Sequence, residues 1–223
     1  MDRIRPTLLI TAQLIFFLLL TGCAGVRNPS DPLEPFNRSV YQINDTVDRA
    51  VVKPVAQAYD AVMPVPFKIM AGNFISNLDD AVITANDLLQ FKFAQAASDG
   101  SRFIFNSTFG IFGLFDVASR LEKHREDFGQ TLGYWGVGNG PYLVLPFLGP
   151  SSVRDATGIY VDTAPSVPGQ VEHIPTRNQY YLASGIHRRS TLLDQDKVLD
   201  EAMIDRYEFM RDTYLLHRRS LAY

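Results

Sequence analysis

Residues 128–155 read FGQTLGYWGVGNGPYLVLPFLGPSSVRD and differ in composition from the rest of the chain. They hold the only tryptophan, Trp135, together with six glycines and three prolines. Glycine at alternate positions from Gly136 to Gly140 excludes an ordinary helix there, because each glycine costs about 1 kcal/mol relative to alanine. Pro141 and Pro146 exclude a central strand, because proline cannot donate to a β-ladder. We therefore expect an irregular apolar segment that other elements surround or that lines a cavity.

The first residues of the chain are typical of an export signal. Arg3 and Arg5 precede an apolar run, Leu8 to Leu20, which is too short for a spanning helix. The run ends in Leu20-Thr21-Gly22-Cys23, which resembles the lipobox of bacterial lipoproteins. That resemblance implies cleavage before Cys23 and covalent diacylglyceryl and N-acyl lipid on it. The alternative is a chance thiol near an ordinary cleavage site.

Composition limits the classes of protein that the chain can belong to. Cys23 is the only cysteine among 223 residues, so the lipidated chain would hold neither a disulfide nor a free thiol. A formal net charge of −3 argues against nucleic-acid binding. The sequence contains no nucleophile elbow, zinc-protease motif or Walker motif, and its four histidines are scattered, so we predict neither an enzyme nor a metal site.

We divide the chain into three parts. Residues 1–22 are the predicted signal peptide, 23–35 the lipidated tether, and 36–223 a single helical domain. Apolar residues recur at intervals of three and four from Phe36 to Val51, which predicts an amphipathic helix. Few segments alternate as strands do, and prolines mark most of the turns, so the predicted fold class is all-α.

Several boundaries follow from local signals. Pro54 predicts the start of a second helix, and Pro64-Val65-Pro66 predicts a break after it. Leu78-Asp79-Asp80 suggests a junction between two helices with an acidic N-cap. Thr176 is the predicted cap of a later helix, and Asp196 to Arg219 is predicted as one final helix.

Residues 102–120, RFIFNSTFGIFGLFDVASR, form a second unusual stretch. Five phenylalanines lie within it: Phe103, Phe105, Phe109, Phe112 and Phe115. The run is too short to span a bilayer. Two interpretations stay open, namely a buried core hairpin and an element embedded at or within one membrane leaflet. A charged connector follows, in which we expect His124 to be solvated.

Two motifs carry a resemblance to a known family. DPLEPFNR at 31–38 and LGYWGVGNGPYLVLP at 132–146, followed by Arg154-Asp155, resemble the MlaA/VacJ family of outer-membrane lipoproteins. The resemblance covers the mature chain almost end to end. It implies a ring-like bundle of short amphipathic helices on the periplasmic side of the outer membrane. There, an irregular Gly/Pro-rich segment would line a central channel that carries phospholipids.

The same resemblance implies partners and a physiological role. The partners would be phospholipids, the outer-membrane bilayer, a trimeric porin and a soluble periplasmic lipid carrier, MlaC. The role would be the maintenance of outer-membrane lipid asymmetry, with no cofactor apart from the covalent lipid and the transported phospholipid. The alternative is a structural envelope lipoprotein that scaffolds a membrane complex without conducting lipid.

The match to the motif region also supplies candidates for the lipid path. They are Tyr134, Trp135, Val137, Asn139, Tyr142 and Leu143. Arg154 and Asp155 could meet a lipid headgroup, but a structural ion pair explains them at least as well.

Overall fold

The computed structural model describes residues 31–196 and 205–221. The predicted signal peptide, Cys23 and most of the tether lie outside these ranges, as do residues 197–204 of the predicted final helix. Within the described ranges, no helix is both long enough and apolar enough to cross a membrane.

Helices form most of the described chain, which confirms the all-α prediction apart from one small antiparallel hairpin. The elements in chain order are α1 (Glu34–Val47), a π-helical turn (Asp48–Val52), α2 (Lys53–Val62), α3 (Val65–Leu89), α4 (Phe93–Thr108), α5 (Phe128–Tyr134), β1 (Tyr142–Leu145), β2 (Gly149–Ser152), α6 (Val153–Asp162), a 3₁₀ turn (Pro168–Gln170), α7 (Ile174–Ser190) and α8 (Arg206–Ser220).

Proline marks the helix boundaries as predicted. Pro54 lies in the first turn of α2, directly after the π-helical turn, and its ring fixes φ at a helical value. Pro64 has extended backbone angles and separates α2 from α3. The predicted amphipathic stripe from Phe36 to Val51 runs along α1 and through the π-helical turn that joins α1 to α2.

The predicted helix junction at Asp79 and Asp80 is wrong, because α3 runs through both residues without a break. Asp80 is fully buried, and its carboxylate accepts a hydrogen bond from the Lys123 ammonium. Arg102 adds a second cation, with its Nε 3.8 Å from Asp80 Oδ2. Asp80 is therefore an interior partner for cations from distant segments and not a helix cap.

Two further helix starts differ from the prediction. His173, not Thr176, caps α7, because its side chain accepts a 3.4 Å hydrogen bond from the Thr176 backbone N–H. Asp205 has extended backbone angles and caps α8 by accepting from the N–H groups of Tyr207 and Glu208. A continuous helix through Asp205 is therefore excluded.

The Gly/Pro-rich segment is more regular than we predicted, since it begins with α5 and ends with the β1–β2 hairpin. In the hairpin, Tyr142 faces Ser152 and Val144 faces Pro150. Pro150 is tolerated because both strands of a two-stranded sheet are edge strands. The free edge of β1 is satisfied by Asn37 of α1, whose amide donates to the Tyr142 carbonyl at 3.0 Å and accepts from the Val144 N–H at 2.9 Å.

The buried apolar core is small and lies where α1, the hairpin and α8 meet. Val40, Tyr142, Val144 and Tyr207 are its buried members. The ring of Tyr142 packs against Tyr207 and Tyr214, with centroids 6.3 and 5.9 Å away.

Candidate functional site

The distribution of polarity is reversed relative to that of an ordinary globular protein. Among the described residues, nine hydrophobic side chains are buried, against twenty polar or charged ones, while thirty-six large hydrophobic side chains are exposed. Each fully exposed large apolar side chain forgoes roughly 1.5–3 kcal/mol of burial free energy in water. Such a surface is stable in contact with an apolar environment or an apolar partner.

A polar network inside the protein holds the aromatic loop that follows α4. Arg102 donates from Nη1 to the carbonyls of Ala118 and Leu121, both at 2.9 Å, and pairs with Asp116 through Nη2 at 2.9 Å. Asn106 donates to the same Asp116 carboxylate and accepts from the Ala118 N–H. The loop is thus fixed from its inner side, where the peptide groups would otherwise lack partners.

The outer side of this loop is aromatic. Phe109 and Phe112 are 69% and 76% exposed, Phe105 and Phe115 are also exposed, and Phe103 is partly buried. The interpretation of this stretch as a buried core hairpin is therefore wrong. Phe112 also has a left-handed backbone, with φ of 56°, which costs free energy for a bulky residue. Contact of these side chains with a bilayer stays a prediction.

Most of the predicted lipid-path residues lie at the surface of the Gly/Pro-rich segment. Tyr134, Trp135 and Val137 are exposed, and Asn139 and Leu143 are partly exposed. The Trp135 indole N–H donates to the Leu89 carbonyl at 3.1 Å, which fixes the ring beside the end of α3.

A groove of about 340 Å³ opens next to this tryptophan, between the end of α3, the start of α5 and the end of α6. Leu88, Leu89, Phe128, Val161 and Pro165 supply apolar lining. The ring of Phe128 meets that of Trp135 edge to face, at a centroid distance of 5.8 Å.

The polar atoms of this groove are already bound to one another. Asn86 donates to Asp162 Oδ1 at 2.8 Å, and the Phe128 N–H donates to Asp162 Oδ2 at 3.0 Å. Burial raises the pKa of Asp162, and these two hydrogen bonds oppose that rise. The groove therefore offers its occupant mainly apolar contact. Sequence reasoning missed it because its walls come from separate elements.

Tyr142 does not line this surface, contrary to the prediction. It is 2% exposed and packs in the core, and burial raises the pKa of its hydroxyl to about 12. The reason is the strand alternation of β1, which points Tyr142 and Val144 inward and leaves Leu143 and Leu145 partly exposed.

Arg154 and Asp155 form a buried structural network. Arg154 Nε lies 3.0 Å from Asp155 Oδ1, and Arg218 Nη2 lies 2.7 Å from the same oxygen. The Tyr214 hydroxyl donates to the other oxygen. Burial alone would raise the pKa of Asp155, but the hydrogen bonds from Arg218, Tyr214 and Arg154 hold it below its ordinary value. This geometry favours the ion-pair explanation of the two residues over headgroup contact.

His124 is not solvated as predicted. Its Nδ1 lies 2.7 Å from Asp99 Oδ2, and its backbone N–H donates to Asp99 Oδ1 at 3.1 Å, while Asp99 is fully buried. Among the described residues, no group of three or more His, Cys, Asp or Glu side chains is arranged to hold a metal ion.

These features define a class of protein: a helical protein with an apolar outer surface, a polar interior and an apolar groove beside a fixed tryptophan. The sequence model of the MlaA lipoprotein family matches residues 29–221. The chain belongs to the MlaA lipoprotein family, which confirms the resemblance found in its motifs.

Named relatives agree with this assignment. The "Intermembrane phospholipid transport system lipoprotein MlaA" of Escherichia coli (strain K12) is 36% identical over 208 residues, which is 88% of this chain and 81% of that protein. The protein of the same name from Haemophilus influenzae is 32% identical over 217 residues, 92% of this chain and 86% of that protein. These relatives are named as parts of a transport system and not as enzymes.

A solved structure has the same fold. It is described as "Structural basis for maintenance of bacterial outer membrane lipid asymmetry", and its chain superposes with a TM-score of 0.77 at 32% identity. The match covers 87% of this chain and all of the solved one.

Proposed function

We propose that this protein is an outer-membrane lipoprotein that conducts phospholipids from the outer membrane to a periplasmic carrier and so maintains lipid asymmetry. The observation that carries the proposal is the match, in sequence and in fold, to proteins named for intermembrane phospholipid transport and for outer-membrane lipid asymmetry. The reversed polarity of the described residues supports it, because a protein surrounded by lipid needs an apolar exterior.

The proposed lipid path uses the groove beside Trp135 together with the exposed Gly/Pro-rich segment. An acyl chain needs apolar contact without unpaired polar groups, and the Asn86 and Asp162 side chains in the groove wall are already paired. Tyr134, Val137, Asn139 and Leu143 extend this surface, and in our proposal they face a central channel in a ring-like body. No covalent chemistry is required, since lipid moves between sites by relative affinity, so we propose no enzymatic activity and no cofactor.

Membrane contact has two proposed parts. Lipid on Cys23 anchors the chain, since two or more acyl chains bind stably at ~0.8 kcal/mol per buried CH₂. The exposed phenylalanines at the end of α4 and in the aromatic loop after it, Phe105, Phe109, Phe112 and Phe115, enter the leaflet that holds the anchor. A trimeric porin and the soluble carrier MlaC complete the proposed assembly, and the chain lies on the periplasmic side of the outer membrane.

Site-specific photocrosslinking in native membranes tests the path. A photoreactive amino acid replaces Trp135 at the groove, and a matched control replaces Tyr181, which is exposed to a similar degree on α7. We expect phospholipid adducts at position 135 and few at position 181. Equal labelling at both positions would show only general contact with the bilayer and would refute the path.

The same preparation separates conduction from scaffolding. A lipid conductor retains phospholipid after mild detergent purification, and deletion of its gene raises the phospholipid content of the outer leaflet. A structural lipoprotein that holds a membrane complex together would do neither. Absence of both effects would favour the scaffold.

A further inference from the structure

A second groove, of about 260 Å³, lies beside the apolar core, where α1 and the start of α8 meet. Its lining is charged and aromatic, and it includes three arginines and two aspartates: Arg38, Arg49, Arg206, Asp45 and Asp205. Neither the proposed lipid path nor the membrane-facing loop uses these residues.

Arg38 forms one wall of this groove. Its guanidinium binds Glu34 at 2.7 Å, Asp205 at 2.9 Å and Glu208 at 3.3 Å. It also stacks on the ring of Tyr207, with Cζ 4.4 Å from the ring centroid. Arg38 is therefore a fixed part of the structure, and it holds Asp205 at the rim of the groove.

Arg49 is the cation that remains open to a ligand. Its side chain is 59% exposed, and its Nε lies 3.0 Å from Asp45 Oδ2. The same Nε–H also donates to Asp45 Oδ1 at 3.1 Å, and Arg206 Nη1 lies 3.9 Å from that oxygen, so both guanidinium groups face the Asp45 carboxylate. A guanidinium that binds a carboxylate through Nε still has donors on Nη1 and Nη2, in the geometry that suits a phosphate.

Arg49 projects from the π-helical turn that follows α1. Such a turn inserts one residue into the helical path and changes the direction of the side chains after it, and π-bulges are frequent at functional sites. Arg49 lies four residues after Asp45, at the spacing that places two side chains side by side on a helix.

The groove carries both signs of charge and an aromatic ring. Asp205 stays ionised, because burial, which would raise its pKa, is outweighed by hydrogen bonds from the Glu208 N–H and from Arg38 that lower it. Tyr41 meets Tyr207 edge to face at 5.8 Å and presents an aromatic wall. Carboxylates and aromatic rings bind ammonium groups, so the groove complements a ligand that carries an anionic and a cationic group.

The position of the groove on α1 agrees with such a ligand. Phe36 and Ile43 lie on one side of α1 and are 55% and 57% exposed, whereas Asp45 lies on the opposite side. The two sides of a helix are ~10–12 Å apart. If the apolar side enters the acyl region, the groove lies at the depth of the lipid headgroups.

We propose that this groove binds the zwitterionic headgroup of a phospholipid, with the phosphate on Arg49 and the ammonium near Asp205 and Tyr41. The assignment rests on the proposed function, since it adds a headgroup site to a protein that handles phospholipids. It requires that a headgroup with both charges binds better than one with the phosphate alone.

NMR titration of the full lipoprotein in detergent tests this assignment with three soluble probes: glycerophosphoethanolamine, glycerophosphoglycerol and inorganic phosphate. We expect glycerophosphoethanolamine to bind most tightly. Arg49→Gln should weaken its binding about ten-fold, which is the loss of one charge-assisted hydrogen-bonded contact. Arg188→Gln is the matched control, because Arg188 is 61% exposed and also pairs with one aspartate.

Each other outcome overturns the assignment. Equal binding of inorganic phosphate would identify a simple anion site, and equal binding of glycerophosphoglycerol would remove the ammonium contact. An unchanged affinity in Arg49→Gln, or an equal loss in Arg188→Gln, would show that Arg49 is not the ligand. The proposed function fails separately, through absence of lipid adducts at Trp135, and a failure of the headgroup groove alone would leave those adducts unchanged.

Discussion

Asp87 gives the sharpest test of the interior electrostatics. It is fully buried in α3, and neither of its carboxylate oxygens accepts a hydrogen bond, whereas a protonated Asp87 can donate to Asp99. Asp99 on α4 and Glu126 in the connector before α5 bring two more carboxylates to the same place, and His124 opposes their effect. Burial, followed by Asp99 and Glu126, raises the pKa of Asp87 to about 7. The fold therefore holds a proton that the unfolded chain releases near pH 4.

The sign of the pH dependence follows from this shift. Between the ordinary pKa of 3.8 and about 7, the folded state binds more protons than the unfolded state, so stability falls as the pH rises through this range. A shift of roughly three units at ~1.36 kcal/mol each corresponds to roughly 4 kcal/mol. The full contribution is present below pH 4 and is lost above about pH 7.

Asp87→Asn removes the titration and keeps the shape of the protonated side chain. We expect the variant to match the wild type only below about pH 4, to be more stable by roughly 2 kcal/mol at pH 5, and to be more stable by roughly 4 kcal/mol at pH 8, where it should unfold at a higher temperature. A gain of ~4 kcal/mol corresponds to roughly 8–16 °C in Tm for a chain of this size. Circular dichroism of the protein in detergent, measured at pH 5, 6, 7 and 8, gives both curves.

Asp60→Asn is the matched control, because Asp60 is 48% exposed and forms a surface pair with Lys68. Such pairs contribute ~0–1 kcal/mol, so this variant should follow the wild-type curve. If Asp87→Asn and the wild type lose stability in parallel from pH 5 to pH 8, Asp87 does not hold the proton and the reasoning is refuted.

Three further predictions concern packing, charge and membrane contact. Arg218→Met removes the cation that pairs with the carboxylates of Asp127 and Asp155. It should lower the free energy of unfolding by ~3–5 kcal/mol in a urea titration, and a loss under ~1 kcal/mol would contradict this. Gly158→Ala would place a Cβ 2.5 Å from the Gly129 nitrogen and should lower Tm. Gly185→Ala, in open space on α7, is the control and should stabilise the protein by ~0.5–1 kcal/mol. Equal Tm values for the two variants would exclude the close approach of Gly158 to Gly129. Phe112→Asn should keep Tm, because asparagine tolerates the left-handed backbone at this position. It should weaken vesicle binding of the non-lipidated chain about ten-fold, because it removes a large exposed ring at the loop tip. Unchanged vesicle binding would show that the loop does not contact the membrane.

Local signals explain which parts of the fold were predictable. Prolines placed the start of α2 and the break before α3 correctly, because a missing N–H group acts on its own helix. The same local reasoning failed at Asp80, which looked like a cap but binds Lys123, 43 positions along the chain. It also missed the β1–β2 hairpin within the Gly/Pro-rich segment, where Asn37 of α1, more than 100 positions away, supplies the hydrogen bonds at the free edge of β1.

The candidate site shows the same limit. The sequence identified the aromatic candidates, because Trp135 is the only tryptophan and the loop phenylalanines are concentrated in one short stretch. The sequence did not show which of the predicted residues are exposed. Alternation along β1 sends Tyr142 inward, and the network around Asp155 buries two charges that had been candidates for headgroup contact.

The helical class, the proline breaks and the family motifs can all be read along the chain, because each depends on residues close together in sequence. The export signal is read in the same way and stays a prediction. The side of each helix that is covered cannot be read in this way. Apolar periodicity marks a face but does not say whether protein or lipid covers it, and here most large apolar side chains are exposed. The two grooves likewise exist only after folding, because their walls come from segments far apart in the chain, such as α1 with α8 or Phe128 with Asp162.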